Sequence, residues 1–217
     1  FSTGNPSADN LLGTRPTLAG TLSVPPAGGI AIDALRLTGA ALSGVANGAV
    51  TPDRADLLAT LAVPDLKRAD GRLSGRADAE LRVTGTLGRP DAAVKATVAN
   101  ATALGRPVPR LALEAVIRDL LGDLDARATL DGTVDRRPAK GELHLARTTD
   151  GALNLDRLDL AVGSVRAQGN VSLNANSLAR GRLQVSAPNL DDLSPLLLTK
   201  ATGQLQADVV LDTAGGG

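Results

Sequence analysis

The sequence predicts an all-β protein built as an antiparallel meander, with one apolar and one polar face. Three observations carry this. Apolar and polar residues alternate strictly over most of the chain, clusters of Gly, Pro, Asn and Asp interrupt the alternation at regular intervals, and helical patterning is confined to two short stretches. The longest run is the most telling. From Leu73 to Leu87 the odd positions read Leu73, Gly75, Ala77, Ala79, Leu81, Val83, Gly85 and Leu87, and every residue between them is polar. Successive side chains of a strand point to opposite faces, so this run has a dry face and a wet one. Unbroken it spans roughly 50 Å at ~3.3 Å per residue, and its glycines are expected to mark bulges or bends.

Taken in order, Leu18, Gly20, Leu22 and Val24 open the series, and Pro25-Pro26-Ala27-Gly28-Gly29 reads as the turn that ends it. The segment Pro52-Asp53-Arg54-Ala55-Asp56-Leu57-Leu58 reads as one or two helical turns. The long run follows, then Gly88-Arg89-Pro90 as a turn and Ala92, Val94, Ala96 and Val98 as the next strand. A second turn at Gly105-Arg106-Pro107 precedes Leu111, Leu113, Ala115 and Ile117, and after these come Leu124, Ala126, Ala128 and Leu130, then Leu143 and Leu145. Between Leu155 and Leu158 the parity flips, which predicts a bulge or tight corner. Turns at Asp150-Gly151 and Asn174-Ala175-Asn176 bracket the set Val165, Ala167, Gly169, Val171 and Leu173. Leu183 and Val185 follow, then a short helix over Asn189–Leu198 that breaks or restarts at Pro195, and Leu205, Ala207, Val209 and Leu211 close the series.

A unit recurs within this pattern. Ala62-Val63-Pro64-Asp65-Leu66 leads to Gly71-Arg72-Leu73, and Ser186-Ala187-Pro188-Asn189-Leu190 leads to Gly203-Gln204-Leu205. Each copy is a strand, a small-Pro-Asp/Asn-Leu helical turn, a Gly-x-Leu start and a second alternating strand, with units near 62–90 and 186–211. Recurrence at a distance reads as a repetitive architecture whose units stack on their neighbours.

Composition narrows the chemistry. The 217 residues carry 23 Lys+Arg against 23 Asp+Glu, so no positive excess exists to meet nucleic-acid phosphates, and nucleic acid is not an expected partner. Phe1 is the single aromatic residue and Cys, Met, Trp and Tyr are absent, which removes base-stacking platforms, thiol chemistry and cysteine-held metals. His144 is the only histidine, on the parity of Lys140 and Glu142, and is read as a solvated strand residue. The carboxylates Asp119/Asp123/Asp125, Asp156/Asp159 and Asp191/Asp192 alternate with Arg and Lys as a wet face does, so no catalytic residue, metal or cofactor is expected. No apolar run reaches the ~18 to 20 residues of a membrane-spanning helix, and a start at Phe1 reads as a processed or excised piece.

What remains is the apolar face, which must be buried against something. Either two sheets close on each other as a structural or adhesive sandwich or solenoid, or one sheet curls around a groove filled from outside. Its mixture of Leu, Val, Ala and Gly without aromatics would leave a sandwich core under-filled. That favours one long sheet curled around an apolar interior that acyl chains occupy. The residues expected to line it are Leu73, Ala77, Leu81 and Val83, then Val94 and Val98, Leu111 and Leu113, and Leu143 and Leu145. Val165, Val171 and Leu173, then Leu183 and Val185, and finally Leu205 and Val209 complete the set.

The two repeat segments, with Gly71 through Pro90 and Gly203-Gln204-Leu205-Gln206-Ala207-Asp208 behind them, resemble the TamB family of the AsmA-like group. The resemblance implies an elongated, taco-shaped β-sheet, of which 1–217 is an internal or C-terminal-half piece. It implies a non-enzymatic periplasmic protein, anchored in the inner membrane by a helix outside this piece. Such a protein works with a TamA-like outer-membrane barrel in envelope biogenesis and carries phospholipid between the two membranes.

Overall fold

The computed structural model describes residues 4–26, 28–174 and 178–212. Its strands are β1 (Thr17–Ser23), β2 (Ile30–Thr38), β3 (Ser43–Val50), β4 (Ala55–Val63), β5 (Leu73–Thr86), β6 (Arg89–Ala103) and β7 (Arg106–Arg118). They continue as β8 (Asp125–Val134), β9 (Arg137–Arg147), β10 (Leu153–Val162), β11 (Val165–Leu173), β12 (Ala179–Ala187) and β13 (Leu205–Leu211). All 13 form one sheet in sequence order, each antiparallel to its neighbours. β1 and β13 are its two edges and do not pair with each other. The expected all-β antiparallel meander is therefore present, and the sheet is not closed.

The long alternating run forms β5, with a register shift between Ser74 and Arg76 at Gly75, whose φ is 94°. The parity flip in β10 is a bulge, with the register broken between Leu155 and Leu158 against β11. Two of the expected turns sit slightly earlier than read, because Arg89-Pro90 and Arg106-Pro107 already belong to β6 and β7. Proline at the second position of a strand costs little, since the hairpin turn is just behind it. The turn between β8 and β9 takes positive φ at both Asp135 (49°) and Arg136 (64°), the handedness that matches strand twist in a two-residue hairpin. Of the other expected turns, Ala27, Ala175 and Asn176 lie outside the described residues, as does Phe1.

One expected helix is corrected. Within Pro52–Leu58 only a short turn precedes β4, because Ala55, Leu57, Ala59, Leu61 and Val63 keep the period of two and pair with Gly85, Val83, Leu81, Ala79 and Ala77. A full strand ladder outweighs the local helical signal. Conversely, helix α1 (Pro6–Leu12) was not expected. Asn5 caps it by accepting from the Ser7 and Ala8 amides at 3.0 and 3.2 Å, Pro6 starts it, and Gly13 ends it at φ 73°.

The remaining helical pieces are 3-10 turns at Leu66–Arg68 and Leu190–Leu193, the second running into α2 (Ser194–Leu197), which restarts at Pro195. The two turns are built alike. Asp65 (φ −139°, ψ 100°) accepts from the Lys67 amide at 3.0 Å, and Asn189 (φ −141°, ψ 101°) accepts from the Asp191 amide at 3.2 Å. Both deliver the chain to a strand whose first leucine, Leu73 or Leu205, lies on the same face of the sheet.

Candidate functional site

Residues directly opposite one another on neighbouring strands share a face. One row runs Ala59, Leu81, Val94, Ala115 and Ala128, then Leu143 and Leu158, then Gly169, Leu183 and Val209. A parallel row runs Leu61, Ala79, Ala96, Leu113, Leu130, Gly141, Leu160, Ala167, Val185 and Ala207. The other expected residues fall on the same side. Ala77 opposes Val98 and Val98 opposes Leu111, Val83 opposes Ala92, and Leu145 opposes Leu155, which opposes Val171. Leu173 faces Leu153, Leu205 faces Ala187, and Leu73 faces Ala103. The sheet therefore carries one continuous aliphatic face.

That face is not uniform. Where the β6–β7, β8–β9 and β10–β11 turns meet, Ala101, Ala103, Val108, Val134, Ala139 and Val162 form a buried cluster. Leu66 from the first 3-10 turn and Leu193 and Leu198 from the second segment pack onto it. Val165, read as lining, belongs to this dry end at 4% exposure. Away from it the face is open. Leu81 is 41% and Leu113 40% exposed in the middle of their strands, and β5 and β7 pack mainly on their neighbours in the sheet and, for β5, on the Leu66–Arg68 turn. Gly141, between Leu130 and Leu160, leaves a shallow concavity of about 220 Å³ lined by Leu113, Leu143 and Leu158 as well. A wider depression of about 460 Å³ lies among the polar side chains of the other face, including Thr60, Asp78, Glu80 and Lys95.

Helical segments and ion pairs seal the dry end as a belt. The carbonyls of Leu11 and Leu12 in α1 accept from Ala41 and Ala40 at the β2–β3 turn, and Asn10 Nδ2 donates to Ala69 O at 3.3 Å. Arg72, just before β5, donates to Leu198 O and is paired with Asp70. Arg106 at the start of β7 binds the Asp191 carboxylate, and Arg137 at the start of β9 binds Asp192. Asp192 also accepts the Ser164 amide at 2.7 Å and is 6% exposed on its side chain. Burial pushes its pKa up, but the Ser164 and Arg137 donors outweigh this and hold it below the ordinary 3.8. Arg106 and Ser194 likewise hold Asp191 down, and Arg72 holds Asp70 down to about 2.

On the polar face His144 is less solvated than expected. Its Nε2 donates to Asp125 Oδ2 at 2.7 Å, its Nδ1 lies 3.4 Å from Asp156 Oδ2, and Arg127 Nη2 is 3.5 Å away. Hydrogen bonding by His144 lowers the Asp125 pKa. Asp119 is spent capping its own loop, accepting the Gly122 and Asp123 amides at 3.1 and 3.3 Å. The carboxylates of the sequence clusters are thus bound into structural pairs, and among the described residues no group of three or more His, Cys, Asp or Glu could hold a metal ion.

Sequence reasoning missed Leu57 of β4, which the helical reading covered, Leu61 just beyond that segment, and Val134 and Val162, which sit beside hairpin turns. No protein-family model, curated protein or solved structure matches the chain.

Proposed function

We propose that the aliphatic face lines a curled groove that holds phospholipid acyl chains, and that the protein works in the periplasm, moving lipid between the inner and outer membranes. The observation that carries this reading is that the face runs across the whole sheet yet stays half-exposed along its middle, as at Leu81 and Leu113. A water-exposed apolar surface of this extent marks a binding surface. Only aliphatic side chains line it, so it offers acyl chains contact without a shaped pocket. Each buried methylene contributes about 0.8 kcal/mol, enough to retain a lipid while leaving it free to slide.

The mechanism is passive and non-enzymatic. Head groups stay in water while chains pass from strand to strand across the aliphatic face, and the resemblance to TamB adds outer-membrane protein biogenesis beside a TamA-like barrel. The test is native mass spectrometry of the chain purified without detergent. Co-purifying phospholipid supports the reading. A lipid-free, monomeric and fully stable chain moves it to a structural protein whose face is covered by protein.

A further inference from the structure

The two ends of the strands differ, and that difference sets how a lipid lies. At one end the belt of α1, the 3-10 turns and α2 closes over Val108, Val134, Ala139 and Val162. At the other, loop tips present aliphatic side chains to water, with Val24 at 78%, Leu121 at 66% and Leu178 at 50% exposure, and Leu87 is exposed as well. Arg118, Asp123, Arg147 and Asp150 place charges of both signs at that free rim.

Building on the reading of the face as a lipid groove, we infer that acyl chains lie lengthwise along the strands. Their heads sit at the free rim and their methyl ends abut the belt, which therefore limits the chain length accepted. A phosphate head cannot rest on the aliphatic rows or enter the dry end without losing its hydration. The free rim offers water, charges of both signs and apolar loop tips at the ends of the central strands. Depth agrees. From Leu111, where belt packing ends, to Ile117 at the rim is a stretch of β7 that spans roughly 20 Å at ~3.3 Å per residue. One leaflet's hydrocarbon is about 15 Å thick, half the ~30 Å core of a bilayer. The acyl chains of ordinary membrane lipids fit within this depth.

The test uses the 217-residue chain and two phosphatidylethanolamines, one with a photoreactive diazirine near the glycerol and one with it at the terminal carbon of the acyl chain. After irradiation, labelled residues are mapped by peptide mass spectrometry. The terminal probe is expected to label Val98, Leu111 and Leu160, and the proximal probe Ile117, Leu121 and Leu145. Labelling of the same residues by both probes overturns the lengthwise orientation while leaving lipid binding intact. Labelling of none by either overturns the groove reading, and this inference with it.

Discussion

Replacing Asp192 with alanine loosens the belt without touching a strand. The carboxylate is 6% exposed and serves both the Ser164 amide, at 2.7 Å, and the Arg137 guanidinium. Losing it strands the Ser164 N–H beneath the belt, a penalty of about 1–3 kcal/mol. Arg137 is half-exposed and recovers water, so the 3–5 kcal/mol typical of breaking a fully buried pair does not apply. The expected loss is about 2 kcal/mol, which for a chain of this size lowers the melting temperature by roughly 4–8 °C. Thermal and urea unfolding followed by circular dichroism measure it at neutral pH, where the native far-ultraviolet spectrum should be unchanged. Asp192→Asn keeps an acceptor for the Ser164 amide and should lose about half as much. A loss near zero for the alanine variant, or a collapsed β spectrum, contradicts the role given to this clamp.

Three further outcomes follow from the same geometry. The carboxyls of Asp70, Asp191 and Asp192 are all lowered from 3.8, so the folded chain binds fewer protons than the unfolded one near and below that value. Their contribution is present above the unfolded pKa and lost as pH falls through the lowered ones. The urea midpoint should be flat from pH 7 to about 5 and decline below, and a midpoint that rises on acidification refutes the assignment. Gly169→Val should destabilise strongly, since even a Cβ at Gly169 would sit 2.4 Å from Arg182 O across the β11–β12 pairing; unchanged unfolding would show that the strands have room to separate. Leu113→Asp, at 40% exposure, should fold with a small loss, whereas Val162→Asp, at 1%, should not fold under the same conditions. Equal damage by both would mean that protein covers the face.

Period two made most of the sheet legible, because a strand with one wet and one dry face writes its orientation into every second residue. That is why Leu81 through Val209 could be assigned to one face from parity alone, and why the flip at Leu155 announced a bulge. The first third was less readable. In β2 the register breaks between Ile32 and Leu35, with Ala34 at φ 47°, and β3 is rich in small residues, so neither shows a clean alternation. In β4, Asp53-Arg54-Ala55-Asp56-Leu57-Leu58 imitates a helix start until pairing to β5 decides the matter. The belt was only half visible. The Pro-Asp/Asn-Leu turns stood out, but their meeting over β6–β10 depends on Arg72, Arg106 and Arg137 reaching carbonyls and carboxylates far away in sequence. Such contacts leave no periodic trace.

Site-specific photo-crosslinking in a membrane-containing extract tests the lipid-bearing face most directly. A photoreactive side chain at Leu81 or Leu113 should capture phospholipid, while one at Arg82 or Glu114, the next residue along and on the polar face, should not. Capture confined to the apolar parity is the predicted result. Equal capture at both parities, or capture of protein alone at Leu81 and Leu113, contradicts a lipid-bearing face.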